Sequence, residues 1–217
     1  MSLESNVELF DKIATDLIEH GLCVIKNAVP EQISNDLQLR VINLRLEQYK
    51  QAGVGRGEGQ VADRQVRSDE ICWIEGETSG EQAWLDWMET LQQYLNRRLF
   101  LGLFSFESHF AHYSKGDFYE KHYDAFRGQA NRVLTVVTYL NSVWQAEYGG
   151  ELRIYGEADN NEDNEVIHTV VPELGTMVIF LSELFPHEVL PASRDRYSIA
   201  GWFRVNGSNK SNIDPPN

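Results

Sequence analysis

Residues 166–181 run Val166-Ile167-His168-Thr169-Val170-Val171, then Pro172-Glu173-Leu174-Gly175, then Thr176-Met177-Val178-Ile179-Phe180-Leu181. Two short runs rich in β-branched and apolar residues flank a break that ends in glycine, the pattern of antiparallel strands joined by a turn. Outward from this pair the texture repeats. Phe104 to Tyr113, Phe118 to Tyr123, Val133 to Leu140, Glu151 to Tyr155 and Tyr197 to Val205 are further β-rich runs, with Lys115-Gly116-Asp117 and Tyr148-Gly149-Gly150 among the turn signals between them. Short strands at this spacing predict an antiparallel sandwich or barrel.

Upstream of residue 103 the period changes to that of helices. Val7, Leu9, Phe10, Ile13, Leu17 and Ile18 recur largely at spacings of three and four before Gly21, which predicts a helix and its stop. Cys23-Val24-Ile25 follows as a short strand. Pro30 suits the opening of a second helix, whose apolar pattern (Ile33, Leu37, Leu39, Val41, Leu44, Leu46) continues up to Gly53. Gly53 to Arg67 is poor in apolar residues and reads as a mobile surface loop. Ile71 to Ile74 is a compact strand, and Ser79-Gly80-Glu81-Gln82 resembles a capping box opening a third helix through Trp84, Trp87, Met88, Leu91, Tyr94 and Leu95. Glu157 to Glu165 reads as a solvated hairpin tip.

The expected organisation is one domain over 1–205, with helical support over 1–102, a β core over 103–205 and a flexible tail over 206–217. Its class is α+β, mostly β with supporting helices packed on one sheet.

The formal net charge of −14 excludes a nucleic-acid backbone or an anionic membrane as the expected partner, because such a surface repels both and no dense basic run intervenes. With only Cys23 and Cys72, a disulfide framework or thiolate cluster is not expected; two buried, reduced thiols are. Met1 to Asn6 lacks a basic residue and no apolar run approaches a membrane span, so cytoplasmic residence is the default.

His122-Tyr123-Asp124 carries the chemistry, because residues two apart on a strand share a face and can reach one ion. His187, in Phe185-Pro186-His187-Glu188-Val189, is the third ligand that closure of a barrel could bring beside them. Two imidazoles and one carboxylate leave metal positions open, as in non-haem Fe(II) oxygenases; the same set could also hold zinc. Arg196 follows nine residues after His187. A guanidinium projecting into a barrel needs an anion, and its fork suits a carboxylate such as that of 2-oxoglutarate. Tyr139 and Tyr113 could add phenolic hydrogen bonds to that oxoacid. Tyr113 can also simply pack. His20, His109, His112 and His168 read as structural residues, and Trp84 and Trp87 as helix core.

The stretch from residue 67 to 204 resembles the 2-oxoglutarate and Fe(II) dioxygenases, and within them the prolyl hydroxylases that act on hypoxia-inducible factor, with their bacterial counterparts. The resemblance rests on His122-x-Asp124, Thr138-Tyr139-Leu140-Asn141, Gly149-Gly150-x-Leu152-Arg153-Ile154, Pro186-His187-Glu188-Val189 and Arg196-Tyr197-Ser198-Ile199, and upstream on Arg67-Ser68-Asp69-Glu70-Ile71-x-Trp73-Ile74-Glu75-Gly76. It implies a double-stranded β-helix of the jelly-roll or cupin kind. It also implies hydroxylation of a prolyl residue at C4, with succinate and carbon dioxide as coproducts and a link to oxygen sensing. His122, Asp124 and His187 match the metal ligands, Arg196 the oxoacid anchor, and Tyr139 and Tyr113 the groups beside the cosubstrate. Trp202 would flank the metal pocket beside the cofactor, although a core tryptophan fits that position equally. The loop over about 53–67 would cover the substrate, with Arg67 and Asp69 positioning its hinge. The implied cofactor is Fe(II), with 2-oxoglutarate and O2 as cosubstrates and ascorbate in support. The implied partner is a protein with an exposed proline, elongation factor Tu being the bacterial candidate, and not a nucleic acid or membrane. Thr138 stands where many relatives carry a second aromatic residue, so substrate identity does not transfer. Rival readings are a hydroxylase of free proline or another small molecule, a non-catalytic binding module of the same fold, and a zinc hydrolase.

Overall fold

A computed structural model describes residues 3–44, 48–52, 66–125, 131–156 and 165–207. Residues 53–65 of the expected loop over 53–67, 157–164 of the acidic hairpin tip over 157–165, Leu46, and 208–217 of the tail over 206–217 lie outside these residues.

Three helices precede the β core: α1 (Leu3–His20), α2 (Glu31–Asn43) and α3 (Ser79–Leu99). The apolar stripe of α1, Phe10, Ile13, Ala14 and Leu17, is buried against the Trp84, Trp87, Met88, Leu91 and Leu95 face of α3 and the adjoining sheet. Each such fully buried large apolar side chain contributes about 1.5–3 kcal/mol. Gly21 ends α1 at φ +70°, where a Cβ would come within 3.1 Å of the Phe185 ring.

Two helix limits differ from expectation. The second helix ends at Asn43, and Lys50–Gln51 forms strand β2 instead of continuing the helix toward Gly53. Leu39 and Ile42, both within the helix, are exposed, while Leu44 is buried just past its end on an extended backbone. The open edge of strand β3 (Glu70–Trp73) captures the chain instead, through Lys50 opposite Ile71. The third helix is capped by Thr78 and not by Ser79. The Thr78 hydroxyl accepts from the Glu81 backbone N–H at 3.2 Å, and the Glu81 carboxylate accepts from the Glu77 N–H at 2.8 Å. The box therefore sits one residue earlier than expected, on the residue whose extended backbone suits an N-cap.

The remaining strands are β1 (Leu22–Ile25), β4 (Leu103–Tyr113), β5 (Tyr119–His122), β6 (Arg132–Tyr139), β7 (Leu152–Tyr155), β8 (Val166–Val170), β9 (Met177–Leu181), β10 (His187–Val189) and β11 (Arg196–Val205). A major sheet runs β1-β9-β6-β11-β4-β3-β2 and a minor sheet β5-β10-β7-β8, with antiparallel pairing throughout. Alternation along β6 divides two cores. Leu134 and Val136 face the helices, while Val137 and Tyr139 face the minor sheet. The architecture is a double-stranded β-helix with helices on the outer side of one sheet. Thr138 points away from Tyr139, on the strand face shared with Leu134 and Val136, so the position that departs from the family lies outside the inter-sheet space.

Strands β4, β11 and β6 present ordered rows to that space. Tyr113 pairs with Arg196; Ala111, Ser198 and Tyr139 form the next row, then His109, Ala200 and Val137, then Glu107, Trp202 and Thr135. Cys23 is buried, whereas Cys72 is only half-buried on β3, so the expectation of two buried thiols holds for the first alone; both are free. Among the described residues no helix is long and apolar enough to cross a membrane.

Candidate active site

Strands β5 and β10 pair so that His122 lies directly opposite His187. Asp124 is not on β5. The strand ends at His122 and the chain bends, so strand periodicity does not aim this carboxylate. It is aimed by the Thr135 hydroxyl, which donates to Asp124 Oδ2 at 2.8 Å and lies 2.9 Å from Ser182 Oγ. Because the Thr135 proton goes to the carboxylate, Ser182 supplies the proton of the second bond. His122 Nε2 stands 3.7 Å from Asp124 Oδ1 and His187 Nε2 3.5 Å from Asp124 Oδ2. One ligand atom from each of the three lies within 4.8 Å of the others, close enough to hold one ion.

The imidazoles are fixed from behind. His122 Nδ1 is 2.8 Å from the Glu120 carbonyl and His187 Nδ1 is 3.0 Å from the Phe185 carbonyl. A carbonyl only accepts, so the proton resides on Nδ1 and the Nε2 lone pair is presented to the cluster. Burial and the adjacent His187 ring push His122 well below the usual imidazole range, which favours its neutral form. Burial opposes ionisation of Asp124, but the two imidazoles, Arg132 and the Thr135 hydrogen bond outweigh it and hold the carboxyl below its usual range.

Arg196 opens β11 and is 1% exposed. Its Nε donates to the Gly150 carbonyl at 2.8 Å and its Nη1 to Ser198 Oγ at 3.1 Å, while the Tyr113 and Tyr139 rings lie 4.9 and 5.2 Å from its Cζ. Nη2 and the Tyr139 hydroxyl are both buried with no hydrogen-bond partner among the described residues. A buried guanidinium left with a free donor is costly, and a carboxylate is the group that satisfies it. These orphans fit the distal carboxylate of a 2-oxo acid, and the two Nε2 atoms with a carboxylate oxygen fit a ferrous ion. The Gly149-Gly150 pair lets Arg196 pack this close to the backbone. A Cβ on Gly149 would meet the Pro191 carbonyl oxygen at 2.6 Å, and one on Gly150 would meet Ala192 Cβ at 3.0 Å and Arg196 Cδ at 3.2 Å.

Arg67 and Asp69 stand between the sheets. The Arg67 guanidinium donates to both Asp69 oxygens at 2.6 and 2.9 Å and lies 4.6 Å over the Tyr119 ring, which stacks on His122 at 3.5 Å. Asp69 is fully buried. Arg67 also bridges to Tyr119 through the backbone, so the base of the 53–65 segment is tied to the strand that carries His122. Trp202 faces the inter-sheet space directly across from Thr135. It is six residues beyond Arg196 on the same strand, about 20 Å along the backbone, in the row of the Thr135 hydroxyl that bonds Asp124.

The sequence points to His122, Asp124 and His187, which the structure groups, and to Arg196, which it buries, but not to the residues that support them. Thr135 and Ser182 stand in the sequence as polar residues beside apolar runs, and Ser198 belongs to the Arg196-Tyr197-Ser198-Ile199 motif. The one signal for Thr135 was a hydroxyl inside an otherwise apolar strand, Val133 to Val137.

A double-stranded β-helix with two histidines and a carboxylate clustered at one level, and a buried unsatisfied arginine at another, has the form of a 2-oxoglutarate- and iron-dependent oxygenase. Residues 108–204 match the 2OG-Fe(II) oxygenase superfamily. The chain is 30% identical to the human prolyl hydroxylase EGLN3 over 210 residues, covering 89% of this chain and 84% of the relative. Among solved structures it is similar to a prolyl-4-hydroxylase from Pseudomonas putida (35% identity, TM-score 0.79, 91% of this chain and 100% of that one). It is also similar to a Trichoplax adhaerens prolyl hydroxylase solved in complex with a peptide fragment of the hypoxia inducible factor oxygen degradation domain (27% identity, TM-score 0.78, 93% and 91%). The chain belongs to the prolyl hydroxylases of the 2OG-Fe(II) oxygenase superfamily, and as such it is an Fe(II)-, 2-oxoglutarate- and O2-dependent dioxygenase.

Proposed function

We propose that this enzyme hydroxylates, at C4, a proline in a flexible segment of another protein, releasing succinate and carbon dioxide. His122, Asp124 and His187 hold the iron in this reading, and Arg196 with Tyr139 receives the distal carboxylate of 2-oxoglutarate. Tyr113 packs beside that carboxylate. Iron with its oxoacid supplies the oxygen chemistry; the chain's own residues orient the reactants and exclude water. Arg67, locked to Asp69 and lying over Tyr119, sets the base of the segment that covers the substrate. Trp202 lines the cavity on the side where the prime substrate enters. The single observation that carries this reading is the pair of unsatisfied buried donors, Arg196 Nη2 and Tyr139 Oη, at the end of the same inner face that meets the His122, Asp124 and His187 cluster.

A protein substrate is favoured over free proline by the relative solved with a bound peptide. Elongation factor Tu is the partner to try first. The test is incubation of the enzyme with Fe(II), 2-oxoglutarate, ascorbate and purified elongation factor Tu or cell-extract proteins, read by mass spectrometry. The expected result is a gain of one oxygen atom on a prolyl residue with stoichiometric succinate. Succinate formation driven by free proline, with no modified polypeptide, would transfer the assignment to a small-molecule hydroxylase.

A further inference from the structure

Glu107 lies outside the ligand cluster, yet it holds two arginines. Its Oε1 accepts from Arg132 Nε at 3.2 Å and Nη2 at 2.9 Å, and its Oε2 accepts from Arg204 Nη1 at 3.2 Å. All three side chains are largely shielded, at 15%, 17% and 14% exposure, so water screens these pairs only partly. Their position is set by register. Glu107 is the β4 partner of Trp202, and Thr135 is its β6 partner, so the carboxylate, the indole and the hydroxyl that aims Asp124 form one row across three strands. Held in this way, the Arg132 guanidinium stands over the Trp202 ring, its Cζ 3.5 Å from the centroid. The indole also meets the His109 ring, tilted at 54° and 5.5 Å away between ring centres. Two side chains thus hold the indole, while its Nε1–H is buried with no acceptor among the described residues.

We propose that Glu107 is a positioning residue of this enzyme: through Arg132 it fixes the Trp202 indole, and with it an unsatisfied N–H donor, beside the Asp124 carboxylate. The inference deepens the reading given under Proposed function and rests on it. A cation stacked on an aromatic face has little directional preference of its own, and Arg132 has several rotamers. The two bonds from Arg132 to the one oxygen Oε1 of Glu107 choose one of them, and the tie of Oε2 to Arg204 keeps Glu107 from following Arg132 outward. Loss of the carboxylate leaves two arginines repelling each other beside the indole. Trp202 is then free to swing, while Arg196, Ser198 and Tyr139, two or more rows away, keep their contacts.

The test uses the full-length protein labelled with 15N at tryptophan, with Trp202→Phe identifying the resonance. Glu107→Gln is compared with wild type, with Arg204→Gln as a milder second variant and with Glu77→Gln, an exposed ion-pair partner on the helix layer, as control. The expected result is a displaced Trp202 indole resonance and about fivefold faster exchange of its N–H with water in Glu107→Gln, the factor that loss of a partly shielded ion pair gives. Arg204→Gln moves both in the same direction. Mn(II), placed in the ligand cluster as probe, broadens the Trp202 resonance in wild type and broadens it less in Glu107→Gln. The rate of 2-oxoglutarate turnover falls about fivefold at unchanged KM for 2-oxoglutarate. An indole whose resonance and exchange match wild type in both variants, or that Glu77→Gln moves equally, overturns the proposal. Wild-type protein that binds no Mn(II) but still shows the Glu107 effect on Trp202 sinks the metal-site reading instead.

Discussion

His122 and His187 are antiparallel cross-strand partners whose rings lie 4.3 Å apart, each held through Nδ1 by a carbonyl two residues earlier in its own chain. The two Nε2 atoms are therefore oriented before any ion arrives, and the remaining freedom lies in Asp124, which Thr135 removes. Replacing Thr135 by Val keeps the shape and deletes the hydrogen bond. The expected outcome is a drop in affinity for Mn(II) or Fe(II) of about 10- to 100-fold, the range found when an outer-shell partner is lost. His187→Ala loses far more. Anaerobic calorimetric titration measures both, and unchanged affinity in Thr135→Val means that the bend after β5 alone orients Asp124.

The unsatisfied Nη2 of Arg196 predicts stabilisation by the cosubstrate. With the metal present, 2-oxoglutarate at one hundred times its Kd stabilises the wild type by about 2.7 kcal/mol. For a chain of this size that corresponds to a rise in melting temperature of about 5–10 °C. Arg196→Met, which fills similar volume without charge, removes the rise while leaving Mn(II) binding in place. A thermal shift of wild-type size in Arg196→Met excludes Arg196 as the anchor.

Gly150 supplies the carbonyl that receives Arg196 Nε, from a backbone at φ +75° with 3.0 Å to Ala192 Cβ and 3.2 Å to Arg196 Cδ. Gly150→Ala combines backbone strain with crowding and costs about 2–3 kcal/mol. It also raises the KM for 2-oxoglutarate, because the carbonyl and the guanidinium must separate. Gly116→Ala is the control: φ is +90° there too, but no atom lies within 4 Å of the new Cβ, so only the strain of about 1–2 kcal/mol remains and KM is unaffected. Urea unfolding with steady-state assays separates the two contributions. Equal KM values in the two variants would dissociate Gly150 from the anchor.

Burial, with the charge of Arg67 added, pushes His109 down to about 3 between the rings of Trp73 and Trp202. The unfolded chain takes up that proton below about pH 6.5 while the folded protein does not, so stability present above pH 6.5 is lost progressively as pH falls toward 3. At pH 4.5 the loss from this group is about 2–3 kcal/mol. His109→Gln removes this part of the acid sensitivity, so the difference between urea midpoints at pH 7 and pH 4.5 narrows. If the two proteins lose stability in parallel over that interval, His109 carries no such penalty.

The sequence by itself determined the strands, the helices and the identity of the grouped residues. Alternation in Val133 to Leu140, the Gly-terminated turns and the His122, Asp124, His187 and Arg196 pattern are local signals, and local signals survive in a one-dimensional string. It did not determine where α2 stops, because Leu44 continues the apolar pattern yet is buried beyond the helix end, and the pairing of Lys50 with Ile71 joins residues distant in sequence. Nor did it determine what aims Asp124. Strand periodicity points to Asp124 for a reason that does not hold, since the chain leaves β5 before reaching it. The supports for the site are cross-strand neighbours distant in sequence: Thr135 with Asp124 and Ser182, Gly150 with Arg196, and Glu107 with Arg132 and Arg204. Only the register of β4, β11 and β6 brings such pairs together. Register is a property of paired strands and their burial, and a single strand's letters do not carry it.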